Sequence, residues 1–173
     1  MEIKSGDEKM LGDFAAPVLA SDSLMKLKTI LVPTDFSDCS KQALDSAVPF
    51  ARLFGARLEL VFVVAPYYGF EPNGFDAYPA QETELARRVL NELARDVVVA
   101  GVGCKVQVRC GRVITEIVAA AHELSADLII IATHGHTGWR RAAFGSIAEG
   151  VVRHAPCPVL TVRGKEGKAS TGE

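Results

Sequence analysis

The chain has 173 residues, enough for one domain with a buried core. Hydrophobic residues make up 49% and charged residues 23%, ordinary globular values, and the formal net charge is −2. Near-neutrality excludes the broad basic field of a nucleic-acid-binding surface, and no polybasic stretch addresses a membrane. An anionic ligand would have to be held by local geometry, through backbone N–H groups and one or two nearby cations.

Residues 1–25 are rich in Ser, Asp, Gly and Lys with scattered apolar residues and no sustained period, and read as a flexible leader with a short helical patch around Leu11 to Leu19. They contain no continuous apolar h-region, so the leader (residues 1–26 with its junction) is not a signal peptide. The longest apolar runs fall far short of the ~20 residues a spanning helix needs. The chain is expected to be soluble and cytoplasmic.

Thr29–Pro33 is a short apolar run ending in proline and predicts the first strand. Ser37 or Ser40 caps the next helix, whose apolar face runs Ala43, Leu44, Ala47, Ala51 and Phe54, and Gly55 stands where a left-handed helix end is wanted. Pro49 removes one backbone bond inside that helix. Residues 58–64 are nearly all apolar, the pattern of a strand covered on both faces. A Tyr-, Gly- and Pro-containing loop leads to a helix over 82–99, with Leu85, Val89, Leu93 and Val97 predicted inward at steps of four. Residues 105–110 alternate, placing Val106, Val108 and Cys110 on one side of a third strand. Ile114, Ile117, Val118, Ala121 and Leu124 mark another helix, and residues 127–132 a fourth strand. After a glycine-bearing loop, Ser146 and Glu149 have the S-x-x-E form of a capping box for a helix to about His154. Val159–Val162 is the fifth strand, and a frayed tail follows over residues 164–173.

This alternation predicts one α/β domain over residues 27–163, an open, mostly parallel five-stranded sheet with helices on both faces. Such sheets bind ligands beyond the carboxyl ends of their strands, where the winding reverses. Two strand exits carry unusual chemistry. At the first, Pro33, Thr34 and Asp35 place an acid just past the strand, able to meet a ribose or base, to coordinate a metal, or merely to cap the next helix. At the fourth, Ala132, Thr133, His134, Gly135, Gly138 and Arg140 lead to Gly145 and Ser146 at a helix start. Glycines let backbone approach a phosphate chain, the helix's first N–H groups point at it, and Arg140 and Arg141 add charge. A well-capped glycine-rich turn is the alternative. The loop is neither a P-loop, lacking Gly-Lys-Ser/Thr, nor the G-x-G-x-x-G fingerprint. His134 and His136 flank Gly135, but no third His, Cys or acid lies nearby in sequence, so no metal site is assigned. The four cysteines form no CxxC, and Cys110 and Cys157 read as small core residues.

Four segments together, ILVPTDFS (30–37), LELVFVV (58–64), VRCGRVITEIVAAAHELSADLIIIATHGHTG (108–138) and FGSIAEGVVRHAPCPVLTVR (144–163), resemble the universal stress protein family over nearly everything outside the two ends. The resemblance implies a Rossmann-like sheet of strand order 3-2-1-4-5 and a site for ATP, with or without Mg2+. The motif of nucleotide-binding members, G-x2-G-x9-G-S/T, matches at Gly135, Gly145 and Ser146, whereas Ala132 replaces the first glycine. By the same resemblance Asp35 lies at the base or ribose with Pro33 and Thr34 beside it, Val63 contacts adenine, Phe62 replaces a common histidine, and Gly111 matches a glycine at the third strand's exit. Family members pair into homodimers through the last strand, here Val159, Leu160, Thr161 and Val162, an uncovered edge suited to pairing. The expected function is an ATP-binding stress-response module signalling through nucleotide-dependent dimer or partner contacts. The alternative is a stress protein of the same fold whose pocket Ala132 has disabled. No catalytic residue is assigned, and at most slow ATP hydrolysis or autophosphorylation on Ser146 is expected. A receiver domain would need clustered acids where only Asp35 stands, and a hydrolase would need an absent G-x-S-x-G elbow.

Overall fold

A computed structural model describes residues 26–66, 80–133 and 145–163. The described elements are β1 (Thr29–Pro33), α1 (Asp38–Phe54), β2 (Arg57–Val64), α2 (Ala80–Val99), β3 (Cys104–Cys110), α3 (Val113–Glu123), β4 (Leu128–Ala132), α4 (Ser146–His154) and β5 (Val159–Val162). The five strands form one parallel sheet in the order β3-β2-β1-β4-β5. β1 and β4 are both buried throughout, as central strands covered on two faces must be.

Strand alternation divides the core in two. Ile30, Val32, Leu58, Leu60 and Ile130 face Ala43, Leu44, Ala47 and Ala51 of α1 and Leu90 and Val97 of α2. Leu31, Val61, Ile129 and Ile131 face Ile117, Ala120 and Ala121 of α3 and Ala148 and Val151 of α4. The chain winds outward from β1 to β3 with helices on the first face, then returns to β4 with helices on the second. The winding therefore reverses between β1 and β4, opening a crevice at their carboxyl ends.

Local signals mostly hold. Ser37 is the N-cap of α1, accepting from the Ser40 N–H, and Gly55 ends that helix at φ 65° with its N–H directed at the Ala51 and Arg52 carbonyls. α1 runs through Pro49, which sits on its exposed side. Asp127 fixes the opposite end of the sheet, its Oδ2 accepting from the Lys28 and Thr29 N–H groups at 2.7 and 2.9 Å.

Three expectations are corrected. In α2 the buried residues are Ala86, Leu90 and Val97, while Leu85 is 62% exposed. A row at steps of four advances about 40° per step around a helix of 3.6 residues per turn, so Leu85 lies about 120° away from Val97. Cys110 is exposed, because it ends the edge strand β3, while Cys157 is partly buried against the α3–α4 face. The capping box is absent: Gly145 is the N-cap of α4 with no side-chain cap, and Ser146 is already the first helical residue. That puts Glu149 one position too late to reach back to the cap. Instead, Glu149 pairs with Arg153 at 3.1 Å.

Candidate functional site

The β1–α1 turn is built on hydroxyls and one carboxylate. The Thr34 N–H donates to the Val61 carbonyl (2.9 Å), and the Phe36 N–H donates to Thr34 Oγ1 (3.1 Å). Thr34 Oγ1 lies 3.0 Å from Ser40 Oγ, which donates to the Ser37 carbonyl at 2.9 Å. Asp35 Oδ1 accepts from both the Ser37 N–H (3.0 Å) and the Ser37 hydroxyl (2.6 Å). Asp35 thus orients the residue that caps α1, so one of its oxygens serves the turn. Phe36 stands at φ 64°, an uncommon conformation for a bulky residue, at a cost of about 1–3 kcal/mol. Its ring stacks on Phe62 of β2, centroids 4.6 Å apart and planes 15° apart, which helps to offset that strain. Phe62 thereby gains a structural role that the sequence alone did not supply.

The second strand exit is drawn in by backbone bonds. Thr133 N–H donates to the Val162 carbonyl, and Gly145 N–H donates to the Thr133 carbonyl at 2.7 Å, so both ends of the intervening loop meet at the top of β4. α4 starts there, its first turn open toward the crevice.

Between these two exits lies a cavity of about 310 Å³. Pro33, Thr34 and Asp35 of the first exit line it, as do Val63 of β2 and Ala132, Thr133, Gly145 and Ser146 of the second. Four expected site residues, His134, Gly135, Gly138 and Arg140, lie outside the described residues. One wall is apolar, made by Val61, Val63 and Ile131 with Val113 and Ile117 of α3. The other carries the Thr34, Ser40, Thr133 and Ser146 hydroxyls, with Asp35 the sole acid among the described lining residues. No Lys, Arg or His is among them. Ser40, Val113, Ile117 and Ile147 were not anticipated. Their contribution depends on which helix faces pack over β1 and β4, and spacing does not give that.

Ala132 belongs to the buried cluster on the α1 face, with Ile130 two residues earlier on the same side. It also lines the cavity, as does Phe62, which packs against the same cluster.

α3 is held in place from β3. Arg109 Nε lies 2.8 Å from Glu116, and its two terminal nitrogens lie 2.8 and 3.0 Å from Glu123. The hydrogen bonds that Arg109 donates to Glu123 first and Glu116 second raise its pKa further above an already high value. Gly111 adjoins this pair at φ 151°, and a Cβ there would lie 2.7 Å from Glu116 Oε1, so the tight approach of strand and helix requires glycine.

Residues 26–163 match the sequence model of the universal stress protein family. The chain belongs to that family. A universal stress protein of Methanocaldococcus jannaschii is 34% identical over 139 residues, covering 79% of this chain and 82% of that one. The universal stress protein UspA from Lactobacillus plantarum superimposes with a TM-score of 0.66 at 27% identity, over 80% of this chain and 99% of that one. A universal stress protein solved in complex with cAMP gives 0.65 at 23% identity, over 81% of this chain and 99% of that one. One from Archaeoglobus fulgidus in complex with dAMP gives 0.60 at 21% identity, over 80% and 98%. These last two show likeness of fold. As a universal stress protein domain, the chain has the family's five-stranded order, and its switch-point crevice is the cavity described above. Among the described residues, no three His, Cys, Asp or Glu side chains gather to hold a metal, and no helix is long and apolar enough to cross a membrane.

Proposed function

We propose that the cavity binds an adenine nucleotide, ATP in the first place, and that the bound nucleotide changes the surface this stress-response protein offers to a second copy or another partner. One observation carries the reading. Eight residues selected from three separate parts of the sequence line a single cavity at the reversal of the sheet. The apolar wall suits a base, the Thr34–Asp35 side suits a ribose, and the open first turn of α4 suits phosphate oxygens. Relatives of this fold solved with cAMP and dAMP support the class of ligand.

The rival reading is a pocket disabled at Ala132, a residue that both lines the cavity and belongs to the α1-side core. ATP titration of Ala132→Gly beside the native chain separates the two, a gain in affinity supporting the rival. With no acid–base pair among the described lining residues, binding without rapid turnover is expected, and slow hydrolysis or autophosphorylation on Ser146 is the ceiling. Mg2+ would enter with the triphosphate. Pairing across the β5 edge supplies the responsive surface: Val159–Val162 is only half-buried in the single chain.

Isothermal titration of the purified chain with ATP tests the reading. Saturable binding, lost in Gly145→Val, is expected, because Gly145 lines the cavity and a branched side chain there would crowd it. No heat at millimolar ATP would favour the non-binding alternative. Mass spectrometry of small molecules released on denaturation would identify any nucleotide carried from the cell.

A further inference from the structure

The last turns of α1 leave an apolar face without cover among the described residues. Leu53 is 79% exposed, and Phe50 and Phe54, stacked on each other with centroids 6.4 Å apart, are 37% and 39% exposed. Pro49 beside them is also exposed. Three large apolar side chains within two turns of a surface helix form a patch of the kind that marks a contact site.

Where α1 ends decides what can reach this patch. α1 runs against the strands, so its last turn lies at the sheet's amino-terminal end. Leu27 belongs to the same buried cluster as Ala51 and Ala56, and the Lys28 carbonyl accepts from the Arg57 N–H just after α1 closes. The chain therefore enters the domain directly beneath the exposed turn. The residues that precede it are additional to the family domain, whose match begins at residue 26. Within them, Met10, Leu11, Phe14, Val18 and Leu19 are apolar, and residues 20–25 separate this stretch from the domain. Six extended residues span up to about 20 Å, enough to carry residues 10–19 back along the last two turns of α1, a rise of about 11 Å.

We propose that residues 10–19 dock on the Phe50–Leu53–Phe54 face of α1 and act as a built-in cover for it. Phe14 and Leu11 are the anchors, and Leu53 is the residue they cover. The occupant is the chain's own leader because its apolar stretch is tethered within reach of the patch. A second copy would have to find the patch from solution.

The full-length chain carrying the photo-crosslinking amino acid benzoylphenylalanine at position 53 tests this. That position is exposed, so the fold tolerates the probe. Irradiation should give an adduct that runs at monomer size, with mass spectrometry placing the link within residues 10–19. Adding Leu11→Asp and Phe14→Asp, substitutions outside the folded domain, should cut the yield about tenfold by removing the apolar burial. A dimer-sized adduct linked to a second copy would overturn the proposal, as would a yield unchanged by the two leader substitutions. Failure to link to the chain at all would also overturn it.

Discussion

Gly150 of α4 lies where that helix meets α3, and a Cβ there would stand 2.4 Å from Ile114 Cδ1, 3.0 Å from its Cγ1 and 3.3 Å from its Cγ2. Gly150→Ala therefore has two opposed effects. Helix propensity favours alanine by about 1 kcal/mol, whereas an extra methyl forced into a packed contact costs about 1–3 kcal/mol. The clash wins, and a net loss near 1 kcal/mol should lower Tm by about 2–4 °C in a chain of this size. Ile114→Val removes the atom at 2.4 Å. In that background the propensity gain should dominate, so Gly150→Ala becomes neutral or stabilising, a coupling of about 1–2 kcal/mol. The same contact joins two helices that line the cavity, α3 through Val113 and Ile117 and α4 through Ser146 and Ile147. ATP affinity should accordingly fall in Gly150→Ala and recover in the double variant. Urea unfolding of the four proteins, with ATP titration of each, measures both quantities. Equal effects of Gly150→Ala in the two backgrounds, within about 0.5 kcal/mol, would refute the claim that this contact spaces the helices.

Asp35→Asn should weaken ATP binding while leaving inorganic triphosphate binding little changed, which paired titrations would show. Equal losses for both would count against the proposed place of Asp35 beside the sugar. The Cys104 thiol is pushed up to about 11 by burial first and the Glu59 carboxylate second. Its alkylation should thus be slow at pH 8 and rise about tenfold per pH unit toward 11, while exposed Cys110 reacts first; peptide mapping after iodoacetamide decides the order. Glu123 has its pKa lowered by its hydrogen bonds to Arg109 and then by that residue's charge. A depressed carboxylate contributes above its unfolded pKa and loses its contribution as pH falls through the folded one. The Tm difference between the native chain and Glu123→Gln should therefore be steady near neutrality and shrink in acid as pH falls through the lowered folded pKa. A gap that persists in acid would place the effect in packing.

The order of elements was legible because its signals are local. Apolar runs gave the strands, Ser37 and Gly55 bounded α1, and the two odd strand exits pointed to the crevice before any contact was known. These features rest on φ/ψ preferences and on hydrogen bonds between near neighbours.

What tertiary structure decided was which side of each element meets which neighbour. The four-step apolar row of α2 drifts around the helix, so packing chose Ala86 over Leu85. Ser146 and Glu149 had the spelling of a capping box, yet the helix begins at Ser146 because Thr133 holds Gly145 in the cap position. Ala132 reads as a damaged glycine in a motif, and only the sheet's alternation shows that it joins the α1-side core while lining the cavity. A sequence states the chemistry at each position in one dimension, but whether two such positions share a cavity depends on helix rotation and strand register, which long-range packing sets.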